Sequence, residues 1–189
     1  MGEVNIIIGL SGVGKGTVLE QTMLLSDKDY KLINYGDRML ETAKNEDLVS
    51  SRDELKELDP ETNKRIQKQA AKEIVEESEE KDVIVETHAA IQTPFGYIPG
   101  LPKWTIENLE PEKIIMLRAS PEAIWRRTQE DDSRDREHSE VEQIKEYQQV
   151  AREMASTGAV LTGAYLKIIE NRDGKAEAAA EELLETLRA

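Results

Sequence analysis

The stretch "GLSGVGKGT", Gly9 to Thr17, follows directly on Val4-Asn5-Ile6-Ile7-Ile8 and constrains this chain more than any other feature. A run dominated by β-branched residues suits a strand buried on both faces, and Thr17 to Leu25 has helical character. Strand, glycine loop and helix in that order match the phosphate-loop pattern GxxxxGK, with Gly9, Gly14 and Lys15 in register. The chemistry needs these residue types. Glycines let the backbone approach an anion, the first amides of a helix point at it, and a lysine adds a full positive charge. Gly9, Leu10, Ser11, Gly12, Val13, Gly14, Lys15, Gly16 and Thr17 are therefore the candidate cradle for a β- or γ-phosphate. One detail departs from the common pattern: Gly16 stands where Ser or Thr is usual, and Thr17 comes one place late.

Four further runs read as short buried strands, at residues 31–35, 83–86, 113–117 and 166–170, each separated from the next by helical sequence. Alternating βα order predicts an α/β fold of P-loop NTPase type, a five-stranded parallel sheet with helices on both faces. The connection over about 37–80 is long and mostly helical. Within it Asp59 reads as a helix cap and Pro60 as the first helical residue, with Ile66, Ala70 and Ile74 on one face. A last helix is predicted over 175–187. Three prolines, Pro94, Pro99 and Pro102, make "TPFGYIPGLP" read as a rigid loop.

With 189 residues, one domain over 1–189 accounts for the chain. No cysteine is present and histidines number two, which excludes disulfides and leaves little for a zinc centre. A net charge of -14 disfavours nucleic-acid binding, which needs a basic face. No apolar run reaches the length of a membrane span, and no signal-peptide pattern precedes the first strand, so a cytoplasmic location is expected.

The GKGT ending, together with "NYGDRM", "VETHAAIQTPFGYIPGLP", "RRTQEDDSRDRE" and "TGAYLKIIENRDG" in the same order and spacing, resembles the nucleoside monophosphate kinases, above all adenylate kinases of the archaeal type. The resemblance covers nearly the whole chain. It implies reversible transfer of a phosphoryl group from MgATP to AMP, giving two ADP, with a magnesium ion held largely through water. It also implies an acceptor-binding helical insertion over about 36–80, a short arginine-bearing lid over about 126–138, and homotrimeric assembly. A kinase for another nucleoside monophosphate or a small alcohol would share the donor half. A sensor that binds ATP without turnover would need fewer of these residues.

Phosphoryl transfer asks a protein for positioning and charge neutralisation rather than covalent chemistry. Lys15, Arg127, Arg134 and Arg136 are the catalytic candidates, because guanidinium forks grip two phosphate oxygens at once. The competing reading of these arginines is pairing with the neighbouring acidic residues. Thr17 and Glu86 are the metal candidates, Glu86 through water. Related kinases usually carry Asp at the latter position, and Glu86 could instead bond the loop backbone. Gly36, Arg52, Arg65 and His88 are the acceptor-side candidates. Either arginine could equally form a helical ion pair, Leu40 falls where the bacterial type has an arginine, and His88 suits a structural role better than a catalytic one. Asn171-Arg172-Asp173-Gly174 forms a turn suited to presenting backbone groups to adenine, while Trp104 and Trp125 read as packing residues.

Overall fold

The computed structural model describes residues 2–130 and 140–189. Five strands form one wholly parallel sheet: β1 (Val4–Ile8), β2 (Lys31–Asn34), β3 (Val83–Thr87), β6 (Lys113–Arg118) and β7 (Tyr165–Glu170), in the spatial order β2-β3-β1-β6-β7. All five match the expected runs to within a residue. Tyr35, expected to end the second strand, instead opens a helix, because Asn34 caps it by accepting from the Asp37 amide at 3.1 Å.

Every residue of β1 is buried, as are the first three of β3 and the first five of β6. Strands buried on both faces require helices on both faces. One layer pairs α1 (Lys15–Leu25) with α7 (Ala176–Arg188); the other groups α3 (Pro60–Ser78), α4 (Lys103–Leu109) and α6 (Val141–Thr162). Asp59 caps α3 as its sequence suggests, accepting from the amides of Glu61 and Thr62 with Pro60 in the first turn. The long connection after β2 comprises α2 (Tyr35–Asn45), a short 3-10 turn (Glu54–Lys56) and α3. Trp104 does pack: its indole donates to Gln67 Oε1 at 2.6 Å and joins α4 to α3. Trp125, on α5 (Pro121–Glu130), remains 39% exposed.

The expected rigid loop is instead a β-hairpin, β4 (Ala90–Thr93) paired antiparallel with β5 (Gly96–Pro99). The prolines do not prevent it, because Pro94 lies in the two-residue connection and Pro99 ends its strand, where no ladder bond is required. The Thr93 hydroxyl accepts from the Phe95 amide and donates to the Gly96 carbonyl, closing the turn.

Parallel strands all end at one edge of the sheet. The segments following β1, β3, β6 and β7 therefore emerge side by side, with β1 at the point where the strand order reverses, the place where open α/β sheets bind ligands.

Candidate active site

Between β1 and α1 the chain turns through Gly12 and Gly14, at φ +80° and +90°, backbone that side-chain-bearing residues rarely adopt. The Val13 amide donates to the Leu10 carbonyl at 3.2 Å and tightens the turn. Helix α1 starts at Lys15 with no side-chain cap, so the first-turn amides have no acceptor within the helix. Lys15 is 7% exposed; its ammonium donates to the Gly9 carbonyl at 2.8 Å and lies 3.9 Å from Glu86 Oε1. A cation and an uncapped helix N-terminus thus converge on one concave loop.

Gly16 is not demanded by crowding, since a Cβ there would meet nothing within 4 Å. What its missing side chain leaves is room, in a cavity of about 440 Å³ whose lining includes Gly16, Leu19 and Glu86. Thr17 stands exposed on the first turn of α1.

The turn after β7 closes one side of the loop. Asn171, 3% exposed, donates from Nδ2 to the Val13 carbonyl at 2.8 Å. Arg127, on α5, donates to the Val13 carbonyl at 3.1 Å and to Asp173 Oδ1 at 2.7 Å. Arg126 also pairs with Asp173, and the hydrogen bond from Arg127 leads the causes that hold the Asp173 carboxyl below the usual carboxylate range. Gly14, Thr17, Arg127, Asn171, Arg172 and Gly174 border a cavity of about 200 Å³. Arg134 and Arg136 lie outside the described residues.

On the other side, Gly36 and Arg52 come together: a side chain at 36 would collide with the Arg52 guanidinium, which pairs with Asp37 at 3.0 Å. His88 keeps an exposed face, yet protein surrounds it closely enough that lost hydration, then the positive charges of Lys15 and Arg52, push its pKa down to about 4. The ring is neutral at physiological pH. Arg65 stands apart, half-exposed and bonded at 2.8 Å to Glu46, an ion pair with the end of α2 and not with the acidic residues near it in sequence. A larger cavity, about 880 Å³, lies between α5 and α6 and shares no residue with the phosphate loop.

In the sequence Asn171 and Asp173 stand out only as parts of a turn. Their side-chain contacts with the loop and with Arg127 had no signal in spacing, because the bonded positions lie 158 and 46 residues apart.

A model of the AAA domain matches residues 8–145. The adenylate kinase of Methanocaldococcus jannaschii is 43% identical over 98% of this chain and 98% of its own length. That of Methanopyrus kandleri is 43% identical over 100% and 99%, and that of Thermoplasma acidophilum 39% over 97% of each. The chain belongs to the adenylate kinase family. Its relatives are of the archaeal type that the motifs resemble. Among solved structures, shikimate kinase from Acinetobacter baumannii, in complex with shikimate, superposes over 100% of this chain and 94% of its own with a TM-score of 0.59. At 14% identity that likeness speaks for the fold alone. Among the described residues no helix is long and apolar enough to cross a membrane.

Proposed function

We infer that this chain catalyses reversible phosphoryl transfer from MgATP to AMP, giving two ADP. The observation that carries the reading is the buried Lys15 ammonium, set beside the Gly9 carbonyl and Glu86 at the mouth of a loop whose helix lacks a side-chain cap. Family membership over the full length supports the same reaction.

The residues present suit a magnesium-bound nucleoside triphosphate. Gly9 to Thr17 offer amides to its phosphates, and Lys15 neutralises charge that builds on the transferring group. The Thr17 hydroxyl and, through water, Glu86 would hold Mg²⁺, which supplies neutralisation of the phosphate oxygens when bound. The space beside Gly16 leaves room for that water. Arg127, Arg134 and Arg136 serve the equatorial oxygens of the phosphoryl group. Gly36 and Arg52 receive the acceptor, and neutral His88 contributes a hydrogen bond rather than a charge. Arg65 would have to leave Glu46 to join them. In this reading residues 36–80 form the acceptor-side insertion and 126–138 the lid of a single domain.

A coupled assay with ATP and a panel of acceptors tests this reading and its alternatives together. AMP is expected to be the preferred acceptor; equal or faster turnover with UMP, CMP or shikimate would point to a different kinase, and no turnover with any of them to a sensor. Homotrimeric assembly is also proposed, supported by family membership and by Ile91, Phe95 and Ile98, which the hairpin exposes. Sedimentation equilibrium should give about three times 21.4 kDa, and a single-chain mass would overturn it.

A further inference from the structure

The structure assigns Asn171 a positioning role: its side-chain amide holds the Val13 carbonyl so that the Gly14 N–H faces the donor phosphates. The inference rests on the donor-site reading above. Val13 O and Gly14 N belong to one peptide plane, no peptide bond among the described residues is cis, and in a trans peptide the carbonyl and the N–H point in opposite directions. Fixing the carbonyl on the outside of the loop therefore aims the N–H inward.

The loop does not make this choice by itself. Because Gly14 has no Cβ, its observed φ of +90° and the negative φ of the reversed plane are both open to it, so the selection comes from outside the loop. Among the described residues two side chains grip the Val13 carbonyl, Asn171 Nδ2 at 2.8 Å and Arg127 Nη1 at 3.1 Å. Arg127 divides its guanidinium among Gly12, Val13, Asn171 and Asp173. Asn171 is the fixed member. It is 3% exposed, and its own amide donates to the Arg118 carbonyl at the end of β6 at 2.7 Å. Among the described residues its buried Oδ1 has no hydrogen-bond partner, and Nδ2 to Val13 is the contact that the side chain supplies there. The reversed amide would set oxygen against oxygen, which fixes the assignment. Packing is tight, since a Cβ on Gly14 would come 2.5 Å from Nδ2.

Asn171→Asp keeps the shape and removes the donor, whereas Asn171→Ser shortens the side chain and keeps one. In steady-state kinetics Asn171→Asp and Asn171→Ala should each raise KM for ATP about tenfold or more, with KM for AMP within about twofold and partial recovery in Asn171→Ser. In ¹⁵N-labelled protein the Gly14 amide resonance should move on addition of ATP, and that shift should shrink in Asn171→Asp. Parallel rises in both KM values, or an Asn171→Asp protein with wild-type KM for ATP and a wild-type Gly14 shift, would overturn the positioning role. Wild-type protein whose Gly14 amide responds to ATP but which does not phosphorylate AMP would sink the proposed reaction and leave this inference standing.

Discussion

Lys15→Met is expected to fold and to lose phosphoryl transfer by about 10³-fold or more. Methionine matches the length and apolar stem of the lysine, and Lys15 is only 7% exposed, so the packing survives. The losses include the hydrogen bond to the Gly9 carbonyl and the cation facing Glu86. In stability that amounts to about 1 kcal/mol, a few degrees in melting temperature for a chain of this size. In the transition state the loss is expected to be larger, because on the proposed mechanism the ammonium neutralises charge moving between phosphates, and a fixed donor there is worth about 10² to 10³ in rate before its full charge is counted. Turnover measured beside thermal unfolding checks this. Near-normal turnover would mean that the loop is not the donor site.

Arg134→Ala and Arg136→Ala are each expected to lower the rate constant at least about a hundredfold, with melting temperatures within a few degrees of the parent. Arginines that neutralise a transferring phosphoryl group contribute about 10³ to 10⁵ in rate. Exposed ion pairs contribute about 0 to 1 kcal/mol to stability and nothing specific to the transition state. Turnover should therefore fall more than nucleotide affinity does. Unchanged turnover with lowered stability would show that the two residues only balance neighbouring carboxylates. Arg127 is a poorer probe of the same idea, because it also grips Val13 and Asp173 and its removal disturbs loop geometry along with charge.

Local signals made the sheet legible. Val4 to Ile8 and Lys113 to Leu117 could be read as buried strands because both faces are covered and β-branched or other apolar residues fill all but one position of each run. Asp59-Pro60 announced α3 through capping chemistry that involves only neighbouring residues. The hairpin escaped because three prolines within nine residues outweigh a weak alternating pattern, and the residues that spare the ladder, Pro94 in the turn and Pro99 at its end, are recognised only once the register is known. In the candidate site, Lys15 was legible from the loop motif after β1 and Glu86 from its place near the end of β3. Arg65 was ambiguous because Glu46, its partner, lies 19 residues back, just past the end of α2. The grip of Asn171 on Val13 could not be read at all, since nothing local to either residue records the other.

That grip also orders events during synthesis. The phosphate loop is made well before the amide that holds it, which comes 158 residues later, roughly 8 to 30 s at ordinary rates of translation. Helix α1 meanwhile awaits α7, its partner across the same layer. A chain still on the ribosome therefore carries the nucleotide-binding motif without the geometry that makes it bind, and ATP has little to hold until β7 has docked. Nucleotide binding stabilises the finished domain and offers no early support to the growing one, so the first half of this chain must reach its sheet without help from ATP.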